Sequence, residues 1–154
     1  MKPSYLETIS LIERLHRQCL EVVKGELDIK GIRDLNNVQA LIIFNIGDEE
    51  LTVGELTQRG YYLGSNVSYN VKKLVENDYL IQERSTHDRR SFHVRASERG
   101  LEIYRLLDKL FEKHANRLPD ASIAGGDLKQ TIATLHKIEH FWSLPKAFFN
   151  RAAA

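Results

Sequence analysis

Two helix starts and two alternating segments follow one another closely between residues 52 and 100, and this order constrains the fold more than any other feature. Thr52, with a glutamate three residues later, matches the pattern of a capping box at a helix start. Ser65 is a typical N-cap residue and precedes apolar residues at helical spacing. Residues 80–85 and 91–96 then alternate apolar and polar side chains around a charged turn, which is typical of a β-hairpin. The segment therefore predicts two short helices followed by a hairpin.

Helix signals dominate the rest of the chain. Apolar residues recur three and four positions apart over residues 4–24, and Gly25 is expected to end this helix. Three further helices are expected between a start residue and a closing residue: Asn36 to Gly47, Ser97 to Pro119 and Asp127 to Pro145. The predicted fold class is therefore mainly α with a small β-hairpin wing.

The composition sets limits on the function. With 154 residues, of which 42% are hydrophobic, the chain is long enough for one globular domain with a core. Between residues 52 and 100 eight Lys and Arg stand against six Asp and Glu, so one copy would gain little from phosphate contacts and a dimer is favoured. The formal net charge is +1, and the single cysteine excludes an intrachain disulfide framework. We expect no membrane span and no export signal, hence a cytoplasmic protein.

The helix predicted at residues 65–77 has an outward face suited to the major groove of DNA. Amide, hydroxyl and ammonium groups can bond base edges and phosphates, and the absence of arginine argues against the common arginine-to-guanine pairing. The candidate contacts are Ser65, Asn66, Ser68, Tyr69, Asn70, Lys72 and Lys73. For this helix alone, a solvated polar face is the alternative interpretation.

The hairpin turn after this helix is basic. A guanidinium at a hairpin tip can enter a narrow minor groove, where the negative potential is enhanced, and an adjacent carboxylate can hold it in position. The candidate residues are Arg84, Asp88, Arg89 and Arg90, and which of the two tip arginines would insert stays open. Helix and hairpin together predict a winged helix-turn-helix lobe that binds double-stranded DNA.

Three motifs in this order resemble the signature of MarR-type transcription regulators. They are SYNVKKLVENDYL at residues 68–80, the Asp88-Arg89-Arg90 turn followed by Val94, and the helix start at residues 96–100. Asp78 stands where the family usually has glycine, and Ala96-Ser97 where it has Leu-Thr, which affects the helix caps rather than the architecture. The chain is also similar to the alphaproteobacterial branch that regulates L,D-transpeptidase genes.

The resemblance implies a homodimer on a pseudo-palindromic operator, with half-sites about 10 bp apart. The N- and C-terminal helices, in residues 1–35 and 101–154, would form the dimerisation region, and residues 36–100 the DNA-binding region. The resemblance also implies a small apolar or phenolic effector, with the candidate lining residues His16, Cys19, Phe44, Tyr61 and Tyr62. Ordinary core packing is the simpler interpretation of each of these residues.

Two alternative functions stay open. Some regulators of this family sense organic peroxides through one cysteine in the first helix, and Cys19 lies in such a region, although on the apolar stripe of its helix. A winged helix can also serve protein assembly. The sequence HKIEH places His136, Glu139 and His140 in a zinc-like pattern, but too few residues follow for a protease site, and we expect no bound metal. The sequence has no catalytic or cofactor-binding motif, so neither an enzyme nor a cofactor is expected.

Overall fold

The computed structural model describes residues 1–60, 64–88 and 90–149, without the side chains of residues 64 and 65. The chain divides into two compact units, Met1–Phe111 and Glu112–Ala154. The first unit contains five helices and a small sheet, and the described part of the second is helical. The mainly α fold class with a hairpin wing is confirmed.

The first helix, α1 (Lys2–Ile29), is longer than predicted. Gly25 is expected to end it, and this expectation is wrong: Gly25 lies inside the helix, and the chain turns at Gly31, whose φ is 69°. Val23 and Leu27, one turn apart, are buried in the core. Burying two such side chains outweighs the cost of about 1 kcal/mol for a helical glycine. The earlier turns of α1 leave large apolar side chains exposed.

The second helix, α2 (Asn37–Ile46), is the centre of the first unit, because α1 and the next two helices all contact it. Its predicted start at Asn36 is confirmed by a capping box: the Asn36 side chain accepts from the Gln39 N–H at 2.8 Å, and the Gln39 side chain accepts from the Asn36 N–H at 3.1 Å. The helix ends at Gly47, as predicted. Its buried apolar side chains are Ala40, Ile42, Ile43 and Ile46.

A short strand, β1 (Glu50–Thr52), leads directly into α3 (Val53–Gly60). Thr52 Oγ1 accepts from the Glu55 N–H at 3.1 Å, and the Glu55 carboxylate accepts from the Thr52 N–H at 2.9 Å. The predicted helix start is therefore confirmed. The strand before it is not predicted, because three residues are too few for an alternating pattern to be recognised.

The next helix is α4 (Gly64–Glu76). It begins one residue before the predicted N-cap, so Ser65 lies inside the helix, and its side chain is outside the described residues. The inner side of α4 is buried at Val67, Val71 and Leu74, as its spacing predicts. The helix is followed by Asp78 with a φ of 62°, so the chain leaves α4 through a left-handed residue.

The hairpin consists of β2 (Leu80–Arg84) and β3 (Phe92–Ala96). Together with β1 these strands form an antiparallel sheet in the order β1-β3-β2. Val94 in the central strand lies opposite Leu51 on one side and Gln82 on the other, and it is fully buried. The sheet therefore connects the hairpin to the chain just before α3.

The long helix α5 (Glu98–Arg117) starts at the predicted position, since Ser97 Oγ accepts from the Gly100 N–H at 3.1 Å. Gly100 is buried against the chain that leaves α4. A Cβ atom at Gly100 would overlap the carbonyl oxygen of Tyr79 and would lie 3.1 Å from the Cβ of Ala96. Only glycine allows this approach of α5.

The second unit contains a 3-10 turn (Leu118–Ala121) and the helices α6 (Gly125–Ser143) and α7 (Lys146–Phe149). Asp127 is predicted to precede its helix but lies in the first turn of α6, where its carboxylate accepts from the Ala124 N–H at 2.8 Å. None of the described residues of these three elements is buried. Among the described helices, none combines the length and apolar character needed to cross a membrane.

The contact at Gly100 predicts a large difference between two glycine substitutions. Gly100→Ala should lower the free energy of unfolding by about 1–3 kcal/mol, because the new methyl group overlaps backbone atoms that cannot move aside. Gly25→Ala is the matched control: nothing lies within 4 Å of its added Cβ. This change should stabilise α1 by about 0.5–1 kcal/mol. Urea denaturation measures both, and equal effects would contradict the tight approach at Gly100.

Candidate nucleic-acid interface

Helix α4 separates an apolar inner side from a polar outer side. We call the exposed side chains Asn66, Ser68, Tyr69 and Lys72 the reading face; Glu76, which pairs with Lys73, is also exposed on this helix. These four are among the residues expected to contact DNA, and the Tyr69 side chain is 61% exposed. The face combines an amide, two hydroxyls and an ammonium group, which can bond base edges and phosphates.

Asn70 lies on the side of α4 that faces α2, although the sequence suggests a DNA contact. Gln39 Nε2 donates to Asn70 Oδ1 at 3.3 Å, and Asn70 Nδ2 donates to the Asn66 carbonyl at 2.9 Å. Gln39 is only 8% exposed, so this link is partly shielded from water. Asn70 is therefore placed to hold α4 against α2. To contact a base it would have to break these hydrogen bonds. Gln39 thus both caps α2 and contacts α4.

The two lysines of α4 are in different environments. Lys73 pairs with Glu76 at 3.1 Å, and its ammonium lies 6.0 Å from the centre of the Tyr69 ring. The hydrogen bond to Glu76, followed by the charge of that carboxylate, raises the pKa of the Lys73 ammonium. Lys72 is exposed on the reading face. A phosphate contact would therefore compete with an existing ion pair at Lys73.

The hairpin turn is ordered by its own polar groups. Asp88 Oδ1 accepts from the Arg90 backbone N–H at 2.9 Å, and Ser85 Oγ accepts from the Asp88 N–H at 3.3 Å. Asp88 is expected to hold an arginine side chain, whereas its contact here is with the Arg90 backbone. Arg90 is exposed, and Arg89 lies outside the described residues. Arg84 stacks over Phe92, with its guanidinium carbon 5.5 Å from the ring centre.

Three residues that the sequence did not single out lie where α4 ends. We call Asp34, Tyr79 and Arg99 the clamp. The Tyr79 hydroxyl donates to one carboxylate oxygen of Asp34 at 2.7 Å, and Arg99 donates to the other at 2.6 Å. The Arg99 guanidinium also lies 4.2 Å from the centre of the Tyr79 ring. No local sequence signal could have found this cluster, because 45 and 65 positions separate Asp34 from its partners.

The clamp changes the acid–base properties of its members. The hydrogen bond from Tyr79, supported by the hydrogen bond and charge of Arg99, holds the pKa of Asp34 below its usual value. Burial of the phenol, followed by its hydrogen bond to the Asp34 carboxylate, raises the pKa of Tyr79 to about 12. At neutral pH the clamp is therefore an ionised pair capped by a neutral phenol.

The residues expected to line an effector site are dispersed in the described part of the chain. His16 and Cys19 are exposed on α1, so Cys19 does not pack into the core of its own chain. The Phe44 ring packs against Tyr104 and Phe111, at centroid distances of 5.6 and 5.2 Å. This arrangement agrees with ordinary core packing of Phe44. Tyr61 and Tyr62 lie outside the described residues.

A cavity of about 500 Å³ lies between the end of α1 and the start of α2. Leu27, Ile32 and Leu35 give it an apolar wall. Lys24 and Arg33 supply cations, and acidic and amide side chains complete the lining. The cavity therefore offers an apolar wall and charges of both signs, since the carboxylates of Glu21 and Asp28 stand against the two cations.

The HKIEH sequence lies on the exposed surface of α6. His136 Nδ1 is 3.2 Å from a carboxylate oxygen of Glu139. Over residues 1–60, 64–88 and 90–149, no group of three or more His, Cys, Asp or Glu side chains could hold a metal ion. Within this motif, His136 and Glu139 form a local pair on one helix.

Comparison with known sequences identifies relatives of the chain. The sequence model of the MarR family matches residues 33–91, which run from the middle of the α1–α2 connection to the end of the hairpin turn. The exopolysaccharide II synthesis transcriptional activator ExpG of Rhizobium meliloti (strain 1021) is 34% identical over 139 residues. That alignment covers 90% of this chain and 72% of the relative.

Solved structures share the fold. Streptococcus pneumoniae FabT in complex with DNA superposes with a TM-score of 0.68 at 18% identity, covering 90% of this chain and 96% of that one. Staphylococcus aureus MarR in complex with salicylate and kanamycin gives a TM-score of 0.70 at 20% identity, covering 90% and 91%. At these identities the likeness concerns the fold alone.

The raised pKa of Tyr79 predicts a stability difference that depends on pH. Below pH 10 the wild type should be more stable than Tyr79→Phe by about 1–3 kcal/mol, because the Asp34 carboxylate keeps its donor. Folding raises the pKa of Tyr79 to about 12, so this contribution is present below the unfolded pKa of about 10 and is lost as the pH rises towards 12.

Denaturation at several pH values between 8 and about 11.5 covers this window. Tyr69→Phe is the control, because its hydroxyl is on an exposed ring and should produce no such trend. A constant difference between wild type and Tyr79→Phe over this range would contradict the assignment.

Proposed function

Because the chain belongs to the MarR family of transcription regulators, we propose that it binds a pseudo-palindromic operator as a homodimer, with α4 in the major groove and the hairpin in the minor groove. The reading face would contact bases and phosphates, and Arg84, Arg90 and the neighbouring Arg89 would act at the wing. Asp88 would shape the wing turn. We place the protein in the cytoplasm, where DNA is accessible.

This proposal rests mainly on one observation: α4 has a buried apolar side and an exposed polar side. Val67, Val71 and Leu74 are almost completely buried, which fixes the rotation of the helix about its axis. The reading face is consequently turned towards solvent over about two turns. A short helix with a polar, exposed face, followed by a hairpin, is the arrangement that fits a groove of DNA. Asn70 and Lys73 would act mainly by supporting this face.

Charge supports a paired arrangement. Between residues 52 and 100 the excess of basic over acidic residues is two, and the described Arg95 and Arg99 are engaged with Glu83 and Asp34. A single lobe would therefore neutralise few phosphates. Two lobes on one duplex double that contribution and make binding depend on the symmetry of the site.

Exposed apolar side chains support the second copy. On α1, Leu6, Leu11 and Leu15 are 52%, 42% and 59% exposed. The second unit exposes a larger set, whose members are Leu128, Ile132, Leu135, Phe141, Trp142, Phe148 and Phe149. Exposed apolar side chains grouped on the same helices mark a surface for interaction with a partner. The terminal helices would bury these side chains in a dimer interface.

The relatives suggest which genes are controlled. The relative from Rhizobium meliloti is an activator of exopolysaccharide II synthesis. The resemblance of the sequence to regulators of L,D-transpeptidase genes points to a related function. Both functions concern polymers of the cell surface. We propose that this chain controls genes of that class, with activation as the mode that the relative favours.

A small effector is part of the proposal. The Staphylococcus aureus structure contains salicylate, a small phenolic anion. The cavity beside α1 and α2 offers this chain an apolar wall with two cations, Lys24 and Arg33. An anionic aromatic compound bound there would contact the connection that contains Asp34. His16, Phe44, Tyr61 and Tyr62 stay candidates for a site completed by a second copy.

A peroxide response is the second candidate, and one observation favours it. Cys19 is exposed, and access to solvent is one of two requirements for a reactive thiol. The other is a neighbouring group that stabilises the thiolate. Protein assembly without DNA is the remaining alternative, and the operator experiment separates it from the leading proposal.

Genomic footprinting with the purified protein should recover an imperfect palindrome with half-sites about 10 bp apart. On that operator, Lys72→Ala should weaken binding to all sequences alike and reduce the slope of log affinity against log salt by about 1, because one phosphate contact is lost.

Lys109→Ala is the matched control, since Lys109 is exposed on α5 away from the reading face and should leave both quantities unchanged. The absence of a preferred site at moderate salt would refute sequence-specific regulation. Equal effects of the two substitutions would refute the assignment of α4.

The dimer interface can be tested by placing a carboxylate on each apolar surface. Leu15→Glu and Ile132→Glu should each convert the dimer to monomer at micromolar concentration, because a buried unpaired charge is strongly unfavourable. Operator affinity should fall at least about tenfold with them, since the two half-sites are no longer read together.

Sedimentation velocity measures the oligomeric state, and Gln58→Glu is the control, because it adds the same charge at an exposed position of α3 outside both apolar surfaces. A wild-type protein that sediments as a monomer, or two variants that stay dimeric, would contradict the proposed interface.

A further inference from the structure

We propose that Asp34 and Arg99 are positioning residues for DNA recognition: their ion pair fixes the exit of α4 against the entry of α5 and so orients the reading face. The inference rests on the proposed function. It concerns residues outside the reading face and the wing.

The first step is the way α4 ends. The Tyr79 N–H donates to the Leu74 carbonyl at 2.8 Å, and the Asp78 N–H donates to the Val75 carbonyl at 3.1 Å. This pair of bonds is the Schellman motif, in which the residue after the helix is left-handed. That residue is Asp78, whose φ of 62° is less favourable for an aspartate than for a glycine. External contacts must therefore help to hold the exit in place.

The second step is that α5 supplies these contacts. Three consecutive carbonyls at the exit of α4 each accept a hydrogen bond from the start of α5. Asn77 O accepts from Arg99 at 2.6 Å, Asp78 O from the Ser97 hydroxyl at 2.5 Å, and Tyr79 O from the Ser97 N–H at 3.1 Å. The absence of a side chain at Gly100 allows the two segments to approach this closely. A movement of the start of α5 is therefore transmitted to the end of α4.

The third step is that Asp34 holds the arginine. Arg99 uses one nitrogen for the Asn77 carbonyl and another for the Asp34 carboxylate. The Asn77 side chain in turn donates to the Asp34 carbonyl at 3.4 Å. Asp34 lies in the connection between α1 and α2, so the pair joins a third segment to the exit. Without Asp34, the guanidinium loses the partner that fixes its orientation over the Tyr79 ring.

Because the ion pair is exposed, a role in positioning can be distinguished from a role in stability. The side chains of Asp34 and Arg99 are 45% and 47% exposed, and exposed ion pairs add little to the free energy of unfolding. Asp34 is also a negative charge in a DNA-binding lobe, so its removal would strengthen DNA binding if only charge mattered. If Asp34 has a positioning role, its removal should instead weaken binding to the operator.

The experiment compares Asp34→Asn, Arg99→Lys and the double variant as full-length protein. The probes are the palindrome recovered by footprinting and a duplex of equal length with scrambled sequence. Each single change should reduce the ratio of specific to non-specific affinity about tenfold, equivalent to one lost base contact. For Asp34→Asn, affinity for the scrambled duplex should stay the same or rise. The double variant should be no worse than either single variant, because both remove the same interaction.

Asp120→Asn is the matched control. Asp120 is an exposed carboxylate paired with Arg117 at 3.3 Å, and its change should leave the ratio unaltered. Thermal denaturation of every variant checks that the folded fraction is unchanged at the assay temperature, and Arg99→Lys provides the same comparison if Asp34→Asn is unstable. If the ratio of specific to non-specific affinity is unchanged in folded Asp34→Asn or Arg99→Lys, this inference is overturned while the proposed function is not affected. A wild type without any preferred site would overturn the proposed function together with it.

Discussion

The contact between the end of α4 and the start of α5 is the constraint on which the DNA-binding lobe depends. Three backbone carbonyls after α4 accept from Ser97 and Arg99 at the start of α5, and Gly100 leaves no space for a side chain between the segments. Neither segment can therefore shift without breaking several hydrogen bonds at once. The same contact places β2, which starts at Leu80, and therefore the wing. Reading helix and wing are in this way held by one junction.

A second set of contacts fixes α4 from the other side. Gln39 caps α2 with its side-chain oxygen and holds Asn70 with its side-chain nitrogen, so one partly shielded amide joins two helices. Buried polar groups with both partners present favour one packing arrangement over its neighbours. The apolar side of α4 determines its rotation about the helix axis, and these polar links help to determine its axial position. The reading face thus depends on residues that do not belong to it.

The terminal helices expose apolar surfaces that are not covered within the chain's own core. The early turns of α1 and nearly all of α6 and α7 expose leucine, isoleucine and aromatic side chains. The described part of the second unit has no buried residue, so its helices gain little from packing within their own unit. Pairing of two copies would supply that burial. It would also place two weakly basic lobes on one duplex, which accounts for a regulator whose net charge is only +1.

Local sequence patterns determined the elements of this protein. Capping boxes at Asn36 and Thr52, the N-cap at Ser97 and the alternation around the hairpin act over three or four residues, and the structure confirms each of them. The predicted end of α1 at Gly25 is wrong because a glycine is only a weak helix breaker when the residues beside it are buried. Tertiary structure alone decided that β1 joins the sheet, that Asn70 faces α2 and that Asp34 meets Arg99. These pairings join residues between 31 and 65 positions apart, and a side chain carries no local sign of a partner that only the folded chain brings near.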